Sequence, residues 1–177
     1  MKKFLISHRG NINGKNEVFE NHPDYITTTI DKGYSCEIDV WWANWSISND
    51  RRKDYKDYYW FLGHNFPTYK IGIEWLKIYN EIDSIWCHAK NIDTLYELQK
   101  ENIHCFFHDR DSVTLTSRGF LWTYPGKKLT KNSICVLPET TKMIQTEGFI
   151  QICAGVCSDF IKEYKEILNV NNHIFKR

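Results

Sequence analysis

The sequence predicts an α/β protein: a compact (β/α)8 TIM barrel with several helices shortened or missing. Three observations predict it. Eight short runs of apolar, aromatic and β-branched residues are bounded by turn residues, which is the mark of strands. Several of the gaps between them carry helix signals, and strand–helix alternation implies parallel βα units. Eight such strands point to a barrel that ordinarily takes about 250 residues. At 177 residues this one must be reduced. An open doubly wound sheet is the alternative, but no G-x-G-x-x-G follows a strand.

The runs cover 3–7, 34–42, 58–62, 84–87, 104–107, 120–124, 133–137 and 155–160. After the first, Asn21 can N-cap a helix with Pro23 and Asp24 in its first turn. Ile26 and Ile30 share one face of it, and Gly33 follows its end. Residues 74–80 form a shorter helix that packs Trp75, Leu76 and Tyr79. Asn91 caps the next, where Ile92, Leu95, Tyr96 and Gln99 follow i, i+3, i+4, i+7 spacing with one polar member. Segments 109–119 and 125–132 are too short or too turn-rich for full helices. Met143 and Ile144 sit in a short helical piece stopped by Gly148, and 161–169 closes the chain with Ile161, Tyr164 and Leu168. The charged segment 44–56 reads as a solvated hairpin tip or inserted loop. With no repeat, linker or low-complexity tract, residues 1–177 make a single domain.

Composition narrows the function. The 42% hydrophobic content suffices for a real core. Lys plus Arg number 23 and Asp plus Glu 22, a balance that argues against a nucleic-acid binder. No apolar run approaches 18 residues, so no membrane-spanning helix is expected. The N-terminus starts like a signal peptide but places His8 and Arg9 where the apolar region would continue. Six cysteines without a C-x-x-C pair read as core thiols, and a cytoplasmic location is expected.

The chemistry gathers at the strand ends: His8 and Arg9, Glu37 and Asp39, His64, His88 and Lys90, His108 and Asp109. In a parallel barrel these ends surround one mouth. Glu37 and Asp39, two apart on a strand, share a face. Paired carboxylates repel unless a cation sits between them, and oxygen ligands suit Mg²⁺ or Ca²⁺. Pairing with Arg9 and Lys90 without a metal is the open alternative. A guanidinium such as that of Arg9 fits phosphate oxygens bidentately. Two imidazoles, His8 and His64, can take a proton from an attacking hydroxyl and protonate a leaving alcohol. Together these groups suit phosphodiester cleavage.

These residues also carry a family resemblance. His8-Arg9-Gly10, Glu20-Asn21, Glu37-Ile-Asp39-Val40, Gly63-His64-Asn65, Ala89-Lys90, Trp122-Thr123 and the run Gly155-Val-Cys-Ser-Asp159-Phe160 occur in order through nearly the whole chain. The set resembles the glycerophosphodiester phosphodiesterase family of the PLC-like phosphodiesterase TIM-barrel superfamily, of which this would be a short, divergent member. The resemblance implies that His8 and His64 are the acid–base pair and that Glu37 and Asp39 hold a divalent metal. It implies phosphate contacts from Arg9 and Lys90, support of the metal or Arg9 by Glu20, and a pocket wall at Trp122. The family usually has a third metal carboxylate where this chain has His88, and an Asp where it has Asn65. A neutral imidazole weakens Mg²⁺ or Ca²⁺ and makes Mn²⁺ or Zn²⁺ possible.

The expectation is therefore a metal-dependent hydrolase of a small glycerol- or sugar-type phosphodiester, in the territory of lipid metabolism. A lyase releasing a cyclic phosphate and a phosphate-ligand binding protein with a degraded site remain open. A membrane surface is a possible but not required partner, through Trp41, Trp42 and Trp45. Core or hairpin packing explains those residues equally well, and the oligomeric state stays open.

Overall fold

The computed structural model describes residues 3–44, 58–141 and 148–174, the last six by backbone alone. Trp45, the rest of the charged segment, Met143 and Ile144 lie outside the described residues.

Among the described residues ten strands form one mixed sheet. Its parallel body runs in the order β6 (Cys105–Phe106), β5 (Ile85–Ala89), β2 (Ser35–Ala43), β1 (Phe4–His8), β10 (Gly155–Ser158), β9 (Ser133–Val136) and β8 (Leu121–Thr123). Three strands are antiparallel to their neighbours. β3 (Tyr59–Leu62) folds back on the far half of β2, β4 (Tyr69–Ile71) on β3, and β7 (Val113–Leu115) on β8. Among the described residues five α-helices accompany the sheet: α1 (Pro23–Asp31), α2 (Ile73–Glu81), α3 (Ile92–Lys100), α4 (Gly148–Ile152) and α5 (Ile161–Ile174).

This corrects the expected (β/α)8 barrel. The sheet is a curled half-barrel of mixed strands. No ladder among the described residues joins β6 to β7 or β8. The physical reason lies in the connections, because a parallel crossover needs a dozen or more residues, usually carrying a helix. The run at 58–62 returns as a hairpin strand instead of crossing over. After β6 the chain turns directly into the β7–β8 hairpin. The described residues of the connection from β9 to β10 carry a 3₁₀ turn at Pro138–Thr140 and the five-residue α4. Gly148 opens α4.

Local signals account for most elements. Asn91 Oδ1 accepts the Thr94 amide at 2.7 Å and starts α3 as expected. The cap of α1 is His22, whose Nδ1 accepts the Asp24 amide at 3.2 Å, and Asn21 is used elsewhere. All six cysteines are free and buried.

Alternation along the strands divides the core. Cys36, Ile38 and Val40 of β2 and Ile85, Cys87 and Ala89 of β5 belong to the core cluster that packs with the helix residues Ile26, Leu76 and Leu98. The opposite register points Ile6, Trp86, Phe106, Trp122, Ile134 and Cys157 at one another. His8, Glu37, Asp39 and His88 lie in this second register, at the strand ends beyond that apolar floor. Trp42 is part of the packing, its ring 4.8 Å from Trp60, and Trp41 Nε1 donates to the Gly63 carbonyl at 2.6 Å. No helix among the described residues is long and apolar enough to cross a membrane.

Candidate functional site

Sheet register assembles the site. His8 pairs with Glu37 across β1 and β2, and Asp39 pairs with His88 across β2 and β5. Four side chains from three adjacent strands therefore meet at one rim. A cavity of about 750 Å³ opens there, lined by His8, Arg9, Glu37, His64, His88 and Lys90 on one side and by Phe107, His108, Trp122 and Tyr124 on the other.

Arg9 follows β1 with φ of 53°, in the left-handed region that non-glycine residues seldom occupy. Its amide donates to the Glu37 carbonyl at 3.0 Å, and its own carbonyl accepts the Asn21 amide at 3.2 Å. The side chain is thereby folded onto two carboxylates. Nη1 donates to Glu20 Oε2 at 3.2 Å. Nε lies 2.8 Å from Asp39 Oδ2, an ion pair rather than an aligned hydrogen bond.

Asp39 is fully buried and heavily partnered. Asn21 grips it twice at 2.9 Å, donating from Nδ2 to Oδ2 and accepting the Asp39 amide at Oδ1. Lys90 Nζ and His88 Nδ1 each lie 3.0 Å from Oδ1. Burial alone would raise the Asp39 pKa, but the His88 hydrogen bond and the Arg9 and Lys90 charges outweigh it and hold the group well below the usual carboxylate range. Glu37 behaves oppositely: burial and the neighbouring Asp39 charge push its pKa up. Its Oε2 is buried with no hydrogen-bond partner and lies 3.9 Å from His8 Nε2.

His8 is oriented by Asp159, just past β10, with Nδ1 2.8 Å from Asp159 Oδ1. Burial works against its protonation, but the Asp159 hydrogen bond and the Glu37 charge prevail, so its pKa is raised. Asn11 ties Asp159 to Glu20, donating to the two at 2.7 and 3.0 Å. Glu139 holds the turn itself, with Oε1 accepting from Ser158 Oγ at 2.9 Å and from the Asp159 amide at 2.8 Å.

His64 reaches the same cavity by a route the barrel expectation did not contain. β3 is antiparallel, yet the Gly63 amide donates to the Asp39 carbonyl at 3.1 Å, so the turn after β3 still ends beside the carboxylates. His64 is exposed, and partial burial with the Arg9 charge lowers its pKa.

On the other wall, His108 is held by the Tyr124 hydroxyl at Nε2, and burial, His88 and Lys90 push its pKa down to about 4. Trp122 lies beneath, stacked on Phe106 with ring centroids 4.5 Å apart.

The structure thus brings together His8, Arg9, Glu37, Asp39, His64, His88, Lys90 and Trp122. Glu20 stands apart from the cation-type cluster, on Arg9 and Asn11. Only Glu37, Asp39 and His88 offer ligand atoms within 4.8 Å of one another among the described residues. Sequence reasoning assigned no site role to Asn11, Glu139, Tyr124 or Asp159, and gave Asn21 only a helix cap. Of these, Asn21 and Asp159 stood inside recognised motifs. The other three carried no local signal for the site, because the site groups they bond lie at least 9 residues away.

Comparison of the chain with protein-family models, curated proteins and solved structures finds no match. The functional reading rests on these residues alone.

Proposed function

We propose that the chain is a divalent-metal-dependent phosphodiesterase acting on a glycerol- or sugar-type phosphodiester. One observation carries the reading: two histidines, His8 held by Asp159 at 2.8 Å and His64 on the turn after β3, line one cavity beside the Glu37–Asp39–His88 cluster, and their surroundings push their pKa values apart. Such opposed shifts mark an acid and a base. His64, biased towards the neutral form, takes the proton of the attacking hydroxyl. His8, biased towards the charged form and oriented by Asp159, returns a proton to the leaving alcohol. Arg9 and Lys90 supply positive charge for the phosphoryl oxygens through the N–H groups not spent on Asp39 and Glu20. Trp122 and Tyr124 wall the substrate side of the cavity.

The donor set suits a divalent cation. Two carboxylates and an imidazole converge within 4.8 Å, and Glu37 Oε2 is buried without a partner. Glu37, Asp39 and His88 would hold the ion, which when bound stabilises negative charge on phosphoryl oxygens. Mg²⁺ and Ca²⁺ suit the two carboxylates, and the imidazole adds Mn²⁺. The six free thiols fit a reducing, cytoplasmic setting.

The second reading is a phosphate-ligand binding protein. It is favoured by Asp39, both of whose oxygens are already matched by Arg9, Lys90, Asn21 and His88 without a metal. Turnover of glycerophosphocholine, glycerophosphoethanolamine and bis-p-nitrophenyl phosphate decides between them. The assays run with EDTA, Mg²⁺, Ca²⁺ or Mn²⁺, beside His8→Ala. Metal-dependent cleavage abolished in His8→Ala supports the phosphodiesterase. A diester that raises the melting temperature yet is never cleaved supports the binding protein. A cyclic phosphate among the products identifies a lyase.

A further inference from the structure

We infer that His108 is a positioning residue for the cation cluster: clamped by Tyr124, it holds the His88 imidazole in place against Glu37 and Asp39. The inference rests on reading those three residues as a divalent-cation site. The His88 ring stacks on two flat neighbours. Phe106 stacks on it with centroids 5.1 Å apart and planes 3° apart, and His108 stacks on it at 4.6 Å and 14°. Phe106 belongs to the strand beside His88 and comes with the sheet register. His108 lies beyond any strand, so its ring must be held by something else.

That support comes from across the gap in the sheet. Tyr124 follows β8, its ring is 4.5 Å from His108, and its hydroxyl bonds His108 Nε2. The Tyr124 amide donates to the Ser112 carbonyl at 3.0 Å, tying the end of β8 to the chain segment that carries His108. In the same region Thr114 Oγ1 donates to the Phe107 carbonyl at 2.9 Å. The β7–β8 hairpin, which stands where a barrel would place a crossover helix, therefore braces the His88 ring. Edge contacts alone fix Nδ1 towards Asp39 Oδ1. The stack fixes the plane of the ring, which is what a metal ligand must present reproducibly. Groups that orient a metal-binding imidazole are worth about 10- to 100-fold in affinity.

The test uses the full chain and two variants, His108→Ala and His108→Phe. Calorimetric titration with Mn²⁺ should give His108→Ala a Kd at least about tenfold weaker than wild type. His108→Phe keeps a flat ring over His88 and the ring contact with Tyr124, losing only the hydroxyl bond, and should lose clearly less affinity than His108→Ala. Wild-type affinity in His108→Ala overturns the inference, as does a loss in His108→Phe equal to that in His108→Ala. A second readout needs no metal: the His88 Nδ1 proton, seen in imidazole ¹⁵N–¹H spectra of metal-free protein. It should persist in wild type and His108→Phe and exchange away in His108→Ala, and its survival in His108→Ala overturns the inference. If wild type takes up no Mn²⁺, the metal-dependent reading falls, and the proton signal alone decides the role of His108.

Discussion

His8 Nδ1 meets Asp159 Oδ1 at 2.8 Å across 151 residues of chain, joining the end of β1 to the end of β10. The adjacency follows from the sheet, where Ser7 pairs with Ser158 in parallel register. The contact links stability to chemistry. Although burial opposes it, the Asp159 bond raises the His8 pKa above 6.5. Its stabilisation is complete below the unfolded value and fades as pH rises through the folded one.

Asp159→Asn should accordingly lower the His8 pKa, followed by NMR titration of the ring protons. If His8 is the general acid, activity declines as pH rises through its pKa, and that limb should move to lower pH in the variant. The rate at neutral pH should fall on the order of 10²-fold. An unmoved His8 titration would sink the assignment.

Glu37→Gln separates fold from function. Burial and Asp39 raise the Glu37 pKa. A carboxyl shifted upward contributes stability at low pH that is lost as pH rises past its unfolded value. Removing its charge should therefore leave the metal-free protein as stable as wild type or more so at neutral pH. The same change should abolish stabilisation by Mn²⁺. Thermal melts with and without Mn²⁺ check both, and an undiminished Mn²⁺ effect in the variant would rule out Glu37 as a ligand.

Asn21→Ala removes two buried hydrogen bonds to Asp39, each 2.9 Å long, and places alanine at φ of 62°. Leaving a buried carboxylate short of a donor and straining the backbone should together cost about 2–4 kcal/mol. Urea denaturation measures this. A loss under about 0.5 kcal/mol, the range of ordinary surface substitutions, would contradict the structural role.

Gly63→Ala should disturb the turn that delivers His64. Gly63 has φ of 148°, and a Cβ there would sit 2.1 Å from the Phe66 carbonyl oxygen. The backbone must move, at a cost of at least about 1–3 kcal/mol. Denaturation and the His64 ring resonances would report it, and wild-type values in both would refute the clash.

His104 should make the fold acid-sensitive. It is buried with its ring 4.3 Å from Trp86, and its Nε2 has no hydrogen-bond partner. Burial and then the Arg118 charge push its pKa down to about 3. The unfolded chain takes up the proton first, so this contribution is present above pH 6.5 and is lost as pH falls towards the folded value. The slope is roughly 1.4 kcal/mol per pH unit. His104→Phe should flatten the stability profile between those limits, and an equally steep profile would show that other groups cause acid unfolding.

The strands were legible because each of the eight predicted runs is short, apolar and bounded by turn residues. β4 and β7 were not, since Tyr69–Ile71 and Val113–Leu115 are three-residue edge strands with exposed members and no apolar run. The direction of β3 was also illegible. Tyr-Trp-Phe-Leu reads alike in either direction, and its pairing with β2 was decided by side-chain packing with Trp42 and Tyr69.

The sequence alone determined which residues carry charge and which alternate onto a common face. That is why His8, Glu37, Asp39, His88 and Lys90 were recognisable together. Tertiary structure decided how the sheet ends and which partners each charge receives. Glu20 went to Arg9, Asp159 to His8, Asn21 to Asp39, and Tyr124 to His108 across an opening where a barrel would have closed. Periodicity is a local property of the chain and can be read from one segment. Sheet closure and the partnering of buried polar groups depend on contacts between distant segments, and those exist only once the chain has folded.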